Sequence, residues 1–217
     1  MNMAVRERIV SRYRSSGGYE FVKRGLDVVI SFLGLLFGWP FFLFMALFIL
    51  LDSPGAGPFF VQERVGKDGV PFQMVKFRTM VPGAQEQRDG LWEQNEMDGP
   101  VFKMRRDPRV TRFGRFLRKY SLDELPQLYN VLRGDMSLVG PRPGLPEEAA
   151  QYDELARQRL TVLPGMTCYW QILPNRNQIS FAQWMTLDRK YLRERSLMTD
   201  LWILLATVKA VLGGNGV

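Results

Sequence analysis

The sequence contains no histidine among its 217 residues. A Ser-His or Cys-His nucleophile pair, and any metal site built on imidazole, are therefore excluded. Its single cysteine, Cys168, has no partner for an intrachain disulfide, which is typical of a reducing compartment. A thiol beside Tyr169 and Trp170 is more typical of a buried apolar residue than of a nucleophile. Acid–base and metal chemistry must come from the remaining polar side chains.

Two common motifs of nucleotide sites are also missing from the sequence. There is no Gly-x-x-x-x-Gly-Lys-Ser/Thr, so a P-loop is not supported, and no Asp-x-Asp metal motif occurs. The net charge is +7, from 29 Lys and Arg against 22 Asp and Glu. This surplus indicates an anionic partner, which on charge alone is nucleic acid, anionic lipid or a phosphorylated small molecule.

Charge is absent from residues 28–51, which are apolar on every face of a helix. As a straight helix this segment would be about 36 Å long, enough to cross a hydrocarbon core of ~30 Å. Pro40 in its middle predicts a kink or break near Trp39. Because basic residues lie on both sides of the segment, the positive-inside rule assigns neither end to the outside. A tilted single crossing and a hairpin that returns to the cytoplasmic side both stay open.

The rest of the chain predicts one compact unit of short elements. Strands are expected at 59–62 and 72–78 around a turn at 66–69, and residues 81–99 resemble a loop or marginal helix. Amphipathic spacing predicts helices at 110–119, 122–133, 147–160, 181–195 and 201–212. Ser121 is the expected start of the second helix, and Thr199 or Asp200 that of the last.

The most informative stretch is Ser121-Leu122-Asp123-Glu124-Leu125-Pro126-Gln127. Ser-x-x-Glu is a capping box, so a purely structural role is one interpretation. The two carboxylates also follow a strongly basic segment, residues 103–119, where they could hold Mg²⁺ and meet a phosphorylated substrate. A carboxylate can itself accept a phosphoryl group and divide one transfer into two steps.

Arg142 stands between Pro141 and Pro143. The prolines present its guanidinium stiffly, and the guanidinium fork matches the geometry of a phosphate. The alternative is a loop arginine that pairs with a nearby acid.

Together these segments resemble the monotopic polyprenyl-phosphate phosphoglycosyl transferases, or bacterial sugar transferases. The resemblance runs in order over about residues 19 to 214. It is carried by Lys23-Arg24-Gly25-Leu26-Asp27, Leu51-Asp52-Ser53-Pro54-Gly55, Lys76-Phe77-Arg78-Thr79-Met80, Ser121 to Leu128, Gly134 to Pro143, Pro164-Gly165-Met166-Thr167, Asn175-Arg176-Asn177 and Ser196-Leu197-Met198-Thr199-Asp200. Cys168 departs from the family, which often has glycine there.

The resemblance implies a mechanism and a set of site residues. Asp123 would attack the sugar-linked phosphorus of a UDP-sugar, release UMP and pass the phosphosugar to undecaprenyl phosphate. Glu124 would assist proton transfer or, with Asp123, bind Mg²⁺. The residues expected to bind substrate phosphates are Arg118, Arg142, Arg176, Lys76 and Arg78.

The predicted elements indicate an α+β, mostly helical fold with a short β-hairpin and amphipathic interfacial helices, to which the resemblance adds a re-entrant membrane segment. A basic segment (1–18), a re-entrant membrane helix-break-helix (19–52) and a cytoplasmic catalytic domain (53–217) are expected, as a minimal catalytic unit. The expected location is the cytoplasmic face of the bacterial inner membrane, in exopolysaccharide, O-antigen or glycoconjugate synthesis. Membrane lipids and a homodimer are the expected partners besides the substrates, and nucleic acid is not.

Two other functions remain as alternatives at this point. A non-catalytic basic module that binds a membrane surface would account for the charge but leave the carboxylate pair as a helix cap. A phosphatase acting on lipid diphosphates would use the same site and release inorganic phosphate.

Overall fold

The computed structural model describes residues 16–214 and residue 216. The predicted basic segment 1–18 therefore lies almost wholly outside the described residues. The described chain is mostly helical with two small sheets, as the α+β prediction requires.

The first helix, α1 (Gly17–Asp52), is 36 residues long and begins at Ser16, whose hydroxyl accepts a hydrogen bond from Tyr19 N. It continues without interruption through Pro40, so the predicted break near Trp39 is not seen. Among the described residues it is the one helix long and apolar enough to cross a membrane. Its buried residues recur at helical spacing along one face, namely Asp27, Ser31, Met45 and Ile49.

Both ends of α1 are attached to the rest of the chain. Near its start, the Asp27 carboxylate accepts a hydrogen bond from Leu138 N at 3.0 Å. At its end, the Asp52 carboxylate accepts one from Phe113 N at 3.0 Å. The first turns are also held by Asp200, which accepts hydrogen bonds from Tyr19, Lys23 and Tyr191 at 2.8 to 2.9 Å. The helix therefore lies against the folded unit at both of its ends.

The predicted hairpin is confirmed and is longer than expected. Strands β1 (Phe59–Val65) and β2 (Pro71–Phe77) pair antiparallel from Phe59 opposite Phe77 to Val65 opposite Pro71. A second pair, β3 (Ser137–Val139) and β4 (Gly165–Thr167), is parallel and was not predicted. Three-residue strands are too short to show an alternating pattern in the sequence.

Of the five helices predicted after the apolar segment, three are confirmed and two are wrong. The helices α2 (Arg112–Lys119), α6 (Phe181–Glu194) and α7 (Leu197–Leu212) are present, although α7 begins four residues early and is capped by Ser196 instead of Thr199 or Asp200. The single helix predicted at 122–133 is wrong, because Leu122–Gln127 is a 3₁₀ helix containing Pro126 and only α3 (Leu128–Arg133) is α-helical.

The helix predicted at 147–160 is also wrong. It is divided into α4 (Pro146–Ala150), α5 (Glu154–Arg157) and a 3₁₀ turn at Gln158–Thr161. Asp153 starts α5 by accepting a hydrogen bond from Ala156 N at 2.7 Å, which ends the preceding helix. A further 3₁₀ helix, Asp89–Gln94, lies in the stretch predicted as a loop or marginal helix.

Among the residues that the structure describes, buried apolar side chains form three clusters. One joins β2, α3, β3, α6 and α7, with members Met74, Val131, Met136, Leu138, Val139, Tyr169, Tyr191 and Ile203. The second surrounds the start of α6 and contains Tyr152, Ala156, Cys168, Trp170, Ile179, Trp184 and Met185. The third fixes the end of α1 on β2 and α2 through Met45, Ile49, Phe77 and Leu117.

Candidate active site

The carboxylate pair lies in the 3₁₀ turn Leu122–Gln127, which packs against β2. Ser121 before it has a left-handed backbone, with φ at 53°, and its side chain caps nothing. The capping-box interpretation of this stretch is therefore wrong. The Ser121 hydroxyl instead accepts a hydrogen bond from the Arg176 guanidinium at 3.2 Å. A non-glycine residue in this conformation costs about 1–3 kcal/mol, and such strain is commonly found at functional sites.

Glu124 is held as an anion by two cations. Its Oε1 accepts a 2.7 Å hydrogen bond from the Arg142 guanidinium and lies 3.5 Å from Lys76 Nζ. Burial raises the pKa of the Glu124 carboxyl, but the charges of Arg142 and Lys76 outweigh it and lower the pKa to about 2. Glu124 is thus engaged by its partners throughout the neutral range.

Asp123 has the opposite electrostatic character. Burial, and then the adjacent Glu124 charge, raise the pKa of its carboxyl above the usual range, although Lys76 and Arg118 oppose this. One carboxylate of the pair is therefore fixed as a charged partner and the other is more basic and more reactive. Neighbouring acids whose pKa values are separated in this way commonly have different roles in catalysis.

The cations around the pair come from separate parts of the chain. Lys76 is next to the last residue of β2, and burial together with Arg142 lowers its pKa to about 8. Arg118, in the last turn of α2, donates from Nε to Thr79 Oγ1 at 2.9 Å, and burial lowers its pKa although Asp123 acts against this. Cations that crowd one another in this way favour an anionic ligand, such as a diphosphate.

The loop that carries Arg142 is fixed from beneath. Arg159 donates to the Arg142 carbonyl at 2.6 Å, and Arg64 donates to the Pro143 carbonyl at 3.2 Å. Where the loop leaves β3, Gly140 lies against Gly165, and a Cβ on Gly165 would fall 2.0 Å from the Gly140 nitrogen. Only glycine permits this approach, and the close contact holds the backbone that leads to Arg142 against β4.

Arg159 is itself part of a buried ion pair. Its guanidinium lies 2.8 Å from the Asp188 carboxylate on α6, and the side chains are 6% and 2% exposed. Burial raises the pKa of Asp188 to about 6, against the effect of Arg159. The pair connects α6 to the backbone of Arg142.

Most of the predicted site residues are brought together, with one exception. Asp123, Glu124, Lys76, Arg118, Arg142 and Arg176 act on one another electrostatically. Arg78 instead donates to the Ser53 and Ala56 carbonyls at 2.5 and 2.8 Å, where it fixes the chain that leaves α1. Cys168 is buried, and burial raises the pKa of its thiol, so it is not a thiolate nucleophile.

Three further residues of the site were missed in the sequence. Arg64 is partly buried near Arg142 and Glu124, and this burial lowers its pKa to about 10. Arg159 and Asp188 support the Arg142 loop. A charge at Arg159, just before the run Leu160 to Leu163, or at Asp188 within α6 is a weak signal, and nothing local pairs residues 29 positions apart.

The carboxylate pair fits a magnesium ion only as a partial site. Among the described residues, no group of three or more Asp, Glu, His or Cys side chains could hold a metal. Asp123 and Glu124 supply oxygen ligands, but Glu124 Oε1 already faces Arg142 and Lys76. Mg²⁺ often binds one or two carboxylates together with water and substrate phosphate, and this donor set is compatible with that arrangement.

Similarity to known proteins extends over nearly all of the described residues. The family model described as "Bacterial sugar transferase" matches residues 18–214. The chain belongs to this family. It is 42% identical to the galactosyl transferase CpsE of Streptococcus agalactiae serotype III over 194 residues, which are 89% of this chain and 43% of that protein.

Two other relatives differ in length. The exopolysaccharide production protein ExoY of Sinorhizobium fredii is 39% identical over 89% of this chain and 87% of its own length. The undecaprenyl-phosphate galactose phosphotransferase of Salmonella typhimurium is 38% identical over 90% of this chain and 41% of its own. This sugar transferase chain thus spans less than half of some curated relatives and most of another.

Proposed function

We propose that this sugar transferase moves a sugar 1-phosphate from a UDP-sugar to a polyprenyl phosphate, with Asp123 as the nucleophile. The observation that carries the proposal is the divided carboxylate pair, in which Glu124 is neutralised by Arg142 and Lys76 while Asp123 is kept basic. The printed names of relatives support an undecaprenyl-phosphate acceptor and a role in exopolysaccharide production.

In the first step, an Asp123 carboxylate oxygen attacks the phosphorus that carries the sugar. A new O–P bond forms, the bond from that phosphorus to the bridging oxygen breaks, and UMP leaves. Arg142 and Lys76 neutralise charge on the phosphoryl oxygens, and Arg118 holds charge beside Asp123. Preorganised cations of this kind stabilise the transition state more than the ground state.

In the second step, a phosphate oxygen of the lipid attacks the same phosphorus. The bond to Asp123 breaks, the carboxylate is regenerated, and the lipid carries a diphosphate linked to the sugar. Mg²⁺, when bound at Asp123 and Glu124, would neutralise charge on the donor diphosphate. Because the two substrates use the site in turn, ping-pong kinetics are expected.

The test of this proposal is a reaction with donor alone. The purified full chain given a UDP-sugar and Mg²⁺ should release close to one UMP per site, and mass spectrometry should find a phosphosugar on Asp123. Asp123→Asn should abolish both signals, whereas Asp68→Asn, in the exposed turn between β1 and β2, should retain them. Normal turnover in Asp123→Asn, or release of inorganic phosphate in place of UMP, would refute the mechanism.

We further propose that both ends of α1 lie on the cytoplasmic face of the inner membrane. The support is that Asp27 bonds to Leu138 and Asp52 to Phe113, so that both ends contact the same folded unit. A helix crossing the bilayer with one end on the far side could not make both contacts. The exposed apolar side chains between these contacts, such as Phe37 and Leu43, would enter the lipid.

Cysteine labelling from one side of the membrane tests this topology. Gly18→Cys and Gly57→Cys place thiols before and after the apolar segment, at positions where a Cβ has nothing within 4 Å. The native Cys168 is buried and should not react. Both thiols should react only from the cytoplasmic side. Reaction of the two from opposite sides would establish a single crossing.

A further inference from the structure

A series of aromatic rings connects the membrane helix to the carboxylate pair. Phe44 and Phe48 on α1 are 4.5 Å apart between centroids, and Phe48 lies 5.5 Å from Phe113 on α2. Phe113 stacks on Phe116 at 5.9 Å, and Phe116 lies 5.2 Å from Tyr120. These five residues are called the aromatic path below.

The aromatic path is partly open to the surroundings. Phe44, Phe48 and Phe116 are 51%, 40% and 46% exposed. Large apolar side chains left exposed in a continuous row are typical of a surface that contacts lipid or a ligand. The row begins within the uncharged segment and leaves it at Phe113.

The path ends one residue before the turn that carries the carboxylate pair. Tyr120 directly precedes Ser121, whose left-handed backbone starts the turn of Asp123 and Glu124. From the same helix, Arg118 faces Asp123 and is anchored on Thr79. The apolar row therefore ends at the residue that leads into the turn of the carboxylate pair.

The helix that carries the path is held rigidly. Thr111 Oγ1 accepts a hydrogen bond from Gly114 N at 2.9 Å, and Asp52 at the end of α1 accepts one from Phe113 N at 3.0 Å. A Cβ on Gly114 would fall 2.1 Å from the Thr79 carbonyl oxygen, so α2 approaches the chain after β2 as closely as glycine permits. The rings are thus preorganised relative to both α1 and the site.

We propose that the aromatic path binds the isoprenoid chain of the acceptor lipid and delivers its phosphate to Arg118 and Asp123. This inference rests on the proposed function, because it assigns a binding surface to that acceptor. An amphiphile with a phosphate at one end of a hydrocarbon matches a row of rings that ends directly before the turn of Asp123 and Glu124. A nucleotide donor has no long apolar part to occupy the row.

The experiment compares two acceptors in the full chain reconstituted in nanodiscs. One is a long polyprenyl phosphate, and the other is a short one of two isoprene units that cannot extend along the path. Phe116→Ala should raise KM for the long acceptor roughly tenfold, since it removes one large apolar contact. It should change KM for the short acceptor by less than about twofold, and Phe116→Leu should recover much of the loss.

The control is Phe37→Ala, which removes an equally apolar side chain, 76% exposed, from α1 outside the path. Equal increases in KM for Phe37→Ala and Phe116→Ala would show membrane anchoring only and overturn the inference. So would equal losses with both acceptors. Donor-only UMP release in the same preparations reports on folding and on the first step. If wild type lacks that release, the proposed function fails, whereas intact release with unaltered acceptor KM in Phe116→Ala defeats the aromatic path alone.

Discussion

Because the pKa values of Asp123 and Glu124 are shifted in opposite directions, Glu124→Gln should change the pH–rate profile of the enzyme in a predictable way. This change keeps the size of the side chain but removes the charge that binds Arg142 at 2.7 Å and Lys76 at 3.5 Å. It also removes the like charge that raises the pKa of Asp123. The pKa of Glu124 at about 2, against its ordinary 4.5, corresponds to about 3 kcal/mol in favour of its anion. That amount is large enough to alter the titration of its neighbours.

Both limbs of the pH–rate profile should therefore move to lower pH in Glu124→Gln. The acidic limb moves because the pKa of Asp123 falls once the adjacent negative charge is gone. The alkaline limb moves because Glu124 raises the pKa of Lys76, so that its loss takes this pKa below about 8. At the optimum, kcat should fall about 10²-fold, since Arg142 loses the partner that orients it.

The assay is initial UMP release under kcat/KM conditions for the donor, from acidic to alkaline pH. The matched control is Glu147→Gln, which breaks a more exposed pair with Arg88 at 2.9 Å and should leave the profile unchanged. An acidic limb that stays in place or rises would show that Glu124 does not act on Asp123 as the geometry indicates. An unaltered kcat in Glu124→Gln would show that catalysis does not depend on the orientation of Arg142 by Glu124.

Two further predictions concern other charged groups of the site. In Lys76→Arg the alkaline limb near pH 8 should disappear, because guanidinium keeps its proton there, whereas Lys103→Arg, which replaces the other lysine with a pKa of about 8, should retain it; persistence of the limb in Lys76→Arg would show that another group titrates. Arg159→Met should destabilise the fold by about 3–5 kcal/mol at pH 8 in denaturant titrations, because Asp188 is left buried without its counter-charge. The raised pKa of Asp188, about 6, means that the fold favours its protonated form, so the charge left unpaired in the variant is lost as pH falls through 6 and the difference between variant and wild type should narrow by pH 5; an equal difference at both pH values would contradict the ion-pair explanation.

The parts of this protein that could be predicted are those with a local signal. Residues 28–51 carry no charge, and the β1–β2 hairpin has two short runs of strand-forming residues around a turn with two glycines. Both followed from local residue types. The Asp123–Glu124 pair and the Pro141–Pro143 loop also stood out, because their residue types are suited to phosphate chemistry.

The helix predictions failed where a local alternative was stronger than amphipathic spacing. Pro126 interrupts the pattern of 122–133, and Asp153 caps a new helix inside 147–160. The sequence from Ser121 to Glu124 has the residue types of a capping box. The backbone of Ser121 is left-handed, with φ at 53°, whereas an N-cap residue has an extended backbone. The left-handed backbone of Ser121 depends on its surroundings in the fold, which include the Arg176 guanidinium.

By itself, the sequence determined which residue types are available for the chemistry and where an apolar helix must lie. Periodicity and the absence of charge or histidine act over a few neighbouring positions, so they can be seen in one dimension. Only the tertiary structure decided that Glu124 is neutralised while Asp123 stays basic, that Arg159 and Asp188 support Arg142, and that Arg78 serves the end of α1. Those outcomes depend on burial and on charges brought together from distant segments, and both exist only once the chain has folded.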